Sequence, residues 1–292
     1  MQQPPLSLPP DLDTLITAST GYKAHDLAPT FGGFSNLTVR ATIGGQHCVI
    51  KATTLPAKRV DIRREAALLP SLTGSSLPVP VLLALVEDAT WTAAITVVLP
   101  GENGLRVLAD APAALPDVFA ALGVTLGRVH ATPPPRLPDL LFAERCSIAR
   151  VTLSNTSIPQ SLRDALLASL DHPIWQATPT GFVHGDVGLH NLLWDGAYLA
   201  LLDWEWVGIG PVALDLVWLR WTMRWRSLDH SLWRAFWDAY AATSQTNTFP
   251  APEAARALAL GQIALILART EGAAQAEWLR RAQWTNDLVD KE

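Results

Sequence analysis

The dominant spacing of apolar residues changes at Pro100-Gly101, and that change limits the possible folds more than any other feature. Before the break the pattern repeats mainly every two residues, as half-buried strands require; after it the repeat lengthens to about 3.6, as in amphipathic helices. Phe34–Thr42 and Gln46–Thr53 are strands with several Val, Ile and Thr, and Gly44-Gly45 is the hairpin turn between them. Pro56–Leu69 is a helix with Ile62, Ala66 and Leu69 on one face, and Pro70 ends it. Val81–Glu87 and Thr92–Leu99 are two further strands. Beyond the break, Pro116–His130 is a helix opened by proline and closed by Pro133–Pro135, Ser161–Leu170 is another, and Ala213–Tyr240 and Pro252–Leu288 are largely helical. The expected fold class is α+β in two lobes: a small β-rich lobe over residues 1–99, a connector near 97–104, and a larger helical lobe over 100–292.

Composition narrows the function. The 292 residues are 49% hydrophobic and 17% charged, enough apolar material for a sizeable core. With 27 acidic and 22 basic side chains the net charge is -5, which argues against a nucleic-acid binder that must neutralise phosphates. The most apolar run lies between Arg256 and Arg269, too short to span a bilayer, and the longer uncharged stretch Ala66–Val86 is broken by Pro70, Pro78, Pro80 and a Ser/Thr/Gly turn. The N-terminus lacks the basic-then-apolar pattern of a signal peptide. Cys48 and Cys146 form no metal-ligand spacing and no disulfide framework. These features together lead to the expectation of a soluble, cytoplasmic protein. Lysine is scarce, at Lys23, Lys51, Lys58 and Lys291, so Lys51 inside the strand Val49-Ile50-Lys51-Ala52 stands out.

The densest group of reactive side chains is Phe182-Val183-His184-Gly185-Asp186, followed by Val187-Gly188-Leu189-His190-Asn191. Ten residues beyond Asn191 begins Leu201-Leu202-Asp203-Trp204-Glu205, an apolar strand ending in a carboxylate. Two strands joined at Asp195-Gly196 bring Asn191 and Asp203 to the same end of a hairpin. An amide oxygen and a carboxylate converging there suit Mg²⁺, which takes oxygen ligands. Asp186 is then left for a substrate proton.

His-Gly-Asp-x-x-x-x-Asn followed by a strand and Asp-Trp-Glu resembles the aminoglycoside phosphotransferase / choline kinase family, whose members are relatives of the protein kinases. Upstream, Phe31-Gly32-Gly33-Phe34-Ser35-Asn36 is similar to that family's phosphate-binding turn, Val49-Ile50-Lys51 to its lysine strand, and Arg63-Arg64-Glu65 to the helix carrying the lysine's partner. Pro78-Val79-Pro80, Leu126-Gly127-Arg128-Val129-His130 and Gly210-Pro211-Val212-Ala213-Leu214-Asp215-Leu216 extend the likeness, the last with one extra residue between proline and aspartate.

The resemblance implies a protein-kinase-like fold and an ATP- and Mg²⁺-dependent phosphotransferase acting on a hydroxyl of a small molecule. It places Gly32, Gly33, Ser35 and Asn36 at the phosphates. Lys51 meets the α- and β-phosphates, held by Glu65. The Val97 carbonyl and the Leu99 amide contact adenine; Pro100 has no amide hydrogen to offer. Asp186 orients the acceptor hydroxyl, and Asn191 and Asp203 hold the metal. His184 and Asp215 brace the catalytic loop. His190 is either a solvated loop residue or a contact to phosphate or substrate, and Glu205 is a further candidate for approach to metal or substrate.

The acceptor is less legible. Seven of the twelve tryptophans cluster between Trp204 and Trp237, but Trp218, Trp221 and Trp225 have the spacing of a buried helix face, so packing accounts for them better than a box for a quaternary ammonium. From Asp203 onward there are eleven acidic and nine basic residues, a balance that does not favour a polycationic aminoglycoside. Choline, homoserine and methylthioribose are alternative acceptors within the family. A nucleotide-binding regulator without turnover, or a metal-dependent phosphohydrolase using His184, Asp186 and His190, are readings of a different kind.

Overall fold

In the computed structural model, residues 6–30, 36–73, 77–134, 141–156, 158–176, 180–244 and 248–288 are described. In chain order the elements are α1 (Pro10–Thr20), β1 (His25–Pro29), β2 (Leu37–Ile43), β3 (Gln46–Thr53), α2 (Pro56–Leu72), β4 (Leu82–Glu87), β5 (Thr92–Val97), β6 (Glu102–Asn103), α3 (Gly104–Asp110), α4 (Leu115–Ala131), α5 (Phe142–Ser154), α6 (Gln160–Leu170), β7 (Thr180–Val183), β8 (Leu192–Trp194), β9 (Leu199–Leu201), β10 (Gly208–Pro211), α7 (Ala213–Trp225), α8 (His230–Thr243), α9 (Pro252–Leu267) and α10 (Gly272–Asp287). They fall into two compact units. Met1–Ala114 with Leu189–Glu205 forms the first, and Leu115–Gly188 with Trp206–Glu292 the second.

The first unit is built on an antiparallel sheet of order β1-β2-β3-β5-β4. Alternation along β3 sends Cys48, Ile50 and Ala52 into one apolar core, where Leu12 and Ile16 of α1 cover them. Lys51 must therefore face the other way, since successive strand residues point to opposite sides. There α2 packs against the sheet and buries Ile62, Glu65, Ala66 and Leu69. A second antiparallel sheet, β6-β8-β9, completes the unit. Its β8–β9 hairpin turns at Asp195, whose carboxylate accepts the amides of Ala197 and Tyr198.

The second unit is mainly helical, with the short antiparallel pair β7–β10 as its only strands among the described residues. Its core draws on α5, α6, α7 and α9, and includes Phe142, Leu166, Trp218 and Ile263. α9 is apolar almost all round and is accordingly buried along most of its length. α4 lies so close to α8 that a Cβ on Gly123 would sit 2.3 Å from the Phe236 carbonyl.

The fold is α+β, with an antiparallel sheet in the first unit and helices in the second. Several local expectations need correction. Pro70 lies inside α2, which continues to Leu72: a proline one turn from the end forfeits one backbone bond, and the Thr73 amide and hydroxyl still close on the Leu69 carbonyl. The strand beginning at Thr92 ends at Val97, not Leu99. The two long C-terminal segments are each a pair of helices, broken after Trp225 and after Leu267. α1, β1, α5 and the short strands β6, β7 and β10 are additions that periodicity does not reveal. α5 hides because it exposes Ile148 and Val151 and so lacks a clean apolar stripe.

Candidate active site

In the first unit, α2, β3 and the segment after β9 converge on a buried charge cluster. Lys51 Nζ donates to Glu65 Oε2 at 2.8 Å and to Asp203 Oδ1, and stands 3.3 Å from Glu205 Oε2. Lys58, in the first turn of α2, donates to Glu205 Oε1 at 2.9 Å. The other oxygen of Glu65 accepts the Trp204 amide at 3.1 Å, and Arg64 reaches the Glu205 carbonyl. Both α2 and the Asp203-Trp204-Glu205 segment are thus stitched together around one lysine.

Three carboxylates face two ammonium groups here, a surplus of one negative charge. Burial opposes the Lys51 charge, but Asp203, Glu65 and Glu205 outweigh it and hold its pKa well above the usual lysine range. Asp203 shows the opposite strain. Its side chain is 35% exposed, yet burial within the cluster, and then Glu205, push its carboxyl up to about 7 against the pull of Lys51. Its backbone is also held at φ 60°, a left-handed conformation uncommon outside glycine. Among the described residues no group of three or more His, Cys, Asp or Glu side chains could hold a metal ion, so a cation here would draw on other oxygen ligands beside Asp203.

Beside the cluster lies a cavity of about 170 Å³ whose walls include Lys51, Glu65, Val97, Leu99, Asn191 and Asp203. The hairpin accounts for the last two: Leu192 pairs with Leu201, and the Leu202 amide donates to the Asn191 carbonyl at 2.8 Å, so Asn191 and Asp203 share one end. Ala94 and Thr96 of β5, with Val49 of β3, give the cavity an apolar floor. The Val97 amide is bound to the Val81 carbonyl and the Val98 amide to that of His47, while the Leu99 amide bonds to no described residue.

Asn36 donates to Glu205 Oε2 at 3.4 Å and so belongs to the charge cluster. Gly32, Gly33 and Ser35 lie outside the described residues. His190 lines the cavity, and its carbonyl accepts the Asn103 side chain. Sequence reasoning left Glu205 open and passed over Lys58; the only hint at Lys58 was the scarcity of lysine in this chain.

The second unit carries the His-Gly-Asp loop. The fully buried Asp215 carboxylate of α7 accepts the amides of His184 and Gly185 at 2.8 and 2.7 Å and holds His130 Nε2 at 3.0 Å. His130 Nδ1 meets the Tyr240 hydroxyl at 2.8 Å. The extra residue before Asp215 therefore does not displace it from the loop. Gly185 sits at φ 84°, and a Cβ there would fall 2.5 Å from the Trp206 carbonyl, so only glycine fits between histidine and aspartate. Gln262 of α9 donates to the Gly185 carbonyl, and Trp218 Nε1 donates to Asp186 Oδ1. The tryptophans of α7 stack in the core: Trp218 on Trp221 at 4.7 Å, and Trp221 on Trp225 at 5.8 Å. Among the described residues no helix is long and apolar enough to cross a membrane.

Comparison with known proteins adds a family and a fold. The sequence pattern of the phosphotransferase enzyme family (APH) matches residues 26–258. No curated protein matches by sequence. Among solved structures, the aminoglycoside-3'-phosphotransferase of type VIII is similar with a TM-score of 0.67 at 20% identity, over 87% of this chain and 97% of that one. A thermostable mutant of the aminoglycoside phosphotransferase APH(4)-Ia, in ternary complex with AMP-PNP and hygromycin B, gives 0.70 at 16% identity, over 96% and 98%. Choline kinase from Streptococcus pneumoniae gives 0.67 at 14%, over 95% and 98%. These likenesses show a protein-kinase-like fold.

Proposed function

The chain belongs to the phosphotransferase enzyme family, and from that premise we propose that it transfers the γ-phosphate of ATP, with Mg²⁺, to a hydroxyl group of a small molecule. The observation that carries this reading is the Lys51–Glu65 pair at 2.8 Å on the wall of a cavity that Asn191, Asp203, Val97 and Leu99 also line. Adenine lies on the apolar floor, with the Leu99 amide as donor and the Val97 carbonyl as acceptor to its edge. Lys51 offers a point charge to the α- and β-phosphates, and Glu65, tied at both oxygens, keeps the ammonium from swinging away. The Asn191 amide oxygen and the Asp203 carboxylate would hold Mg²⁺, which would supply positive charge to offset that of the phosphates.

Asp186 receives the acceptor hydroxyl. A carboxylate is far too weak a base to ionise an alcohol in advance. In a loose transition state its task is to aim the oxygen at phosphorus and take the proton late. Asp215 and Gln262 serve that aim by fixing the backbone on either side of Gly185.

ATP consumption with Mg²⁺ against aminoglycosides, choline, homoserine, methylthioribose and simple sugars tests the proposal. We expect an acceptor-dependent rate that Asp186→Ala and Asp203→Ala each nearly abolish, with the fold intact. Full activity in either variant would sink the assignment. ATP binding without transfer to any acceptor would point instead to a regulator.

A further inference from the structure

Among the side chains around Asp186, one neutral donor is held with unusual firmness. Trp218 Nε1 donates to Asp186 Oδ1 at 2.8 Å, and the indole is only 2% exposed. Its ring lies against Trp221 with an interplanar angle of 6° and is 6.1 Å from Trp278. Trp221 is anchored in turn by its own N–H, which donates to the Thr285 hydroxyl at 2.8 Å. An indole N–H can donate but never accept, so it leaves the proton of an acceptor hydroxyl to the carboxylate. The terminal torsion of an aspartate is otherwise broad, and fixing one oxygen sets the plane and hence the direction of the other.

We propose that Trp218 is a positioning residue for phosphoryl transfer: its N–H sets the orientation of the Asp186 carboxylate. The inference rests on the reading of Asp186 as the group that receives the acceptor hydroxyl. A misaimed reacting group costs up to about a hundredfold in rate, which scales the expected effect.

Trp218→Phe keeps an aromatic ring in the stack and removes only the donor. Trp221→Phe makes the matching change one ring further from Asp186. With ADP release from Mg-ATP measured in the mixed acceptor panel, Trp218→Phe should lower kcat roughly 10- to 100-fold with KM for ATP unchanged, and Trp221→Phe should keep the parent kcat. A spectroscopic readout runs beside the kinetics. The Trp218 indole ¹H–¹⁵N signal, assigned as the one missing from Trp218→Phe, should move in Asp186→Ala and stay in Asp203→Ala. A parent-like kcat in Trp218→Phe, an equal loss in Trp221→Phe, or an indole signal indifferent to Asp186→Ala overturns the role of Trp218. If Asp186→Ala itself keeps the parent rate, the reading of Asp186 falls and takes this role with it; if only Trp218→Phe keeps it, the reading of Asp186 stands.

Discussion

The two groups of candidate residues are held by different forces. In the first unit Lys51, Glu65, Asp203, Glu205 and Lys58 hold one another charge against charge, with the Trp204 amide on Glu65 and the Asn36 side chain on Glu205 beside them. In the second unit Asp186 sits in a loop braced from outside: Asp215 grips its backbone amides, Gln262 a carbonyl, and Trp218 the carboxylate. The contrast fits the chemistry proposed for each. A group proposed to meet phosphates and a cation has to carry charge that can be redistributed when they arrive. A group proposed to aim a hydroxyl needs a fixed direction, and hydrogen bonds from buried side chains to the loop backbone and to the carboxylate supply it.

The largest effect that would break this comparison is expected at Asp215. Asp215→Ala leaves two buried amides and His130 without their acceptor, and should cost about 3–5 kcal/mol of stability in urea denaturation, because a buried charged partner is removed. A cost below about 1 kcal/mol would mean that the loop is not braced from α7. Next comes Lys51→Met, which strips the ammonium from three carboxylates. The Asp203 carboxyl, already raised to about 7, should then rise further above its unfolded value, so the penalty is small at low pH and grows as pH rises past about 7, where the parent carboxyl ionises. We expect a loss of about 2–3 kcal/mol at pH 8 and a clearly smaller one at pH 5. A loss independent of pH would show that the cluster is held by packing instead.

The smallest effect serves as a calibration. On α10, Glu277 accepts from Arg280 and Arg281, and those bonds hold its carboxyl down to about 2. Being depressed, its contribution is present above the ordinary carboxylate range and lost as pH falls towards 2. The group is exposed, so Glu277→Gln should cost no more than about 0.5 kcal/mol and less at high salt. A larger loss would show that exposed pairs rival the buried cluster in this protein.

Much of the site was legible because its signals are local. His184, Asp186, Asn191 and Asp203 lie within one loop and one hairpin, and a hairpin's register follows from its turn, so the sharing of one end by Asn191 and Asp203 could be read from spacing. Lys51 could be picked out because a lone charge in an alternating strand has to lie on the face away from the apolar core. Elements with weak or interrupted patterns were hidden. α1 is short and begins among prolines, with Leu12 and Ile16 as its only buried side chains.

By itself, then, the amino-acid sequence determined the strongly periodic elements, the α+β class and the chemical identity of the groups we propose to meet ATP and acceptor. These depend on residue type and on neighbours a few positions away. Tertiary structure alone decided who holds whom. Lys58 and Glu205 are 147 residues apart, and Asp186 and Trp218 lie on different elements 32 apart. Nothing in local propensity couples such pairs; they meet because α2 and α7 each pack an apolar face within their own unit, and packing then sets which polar atoms come within reach.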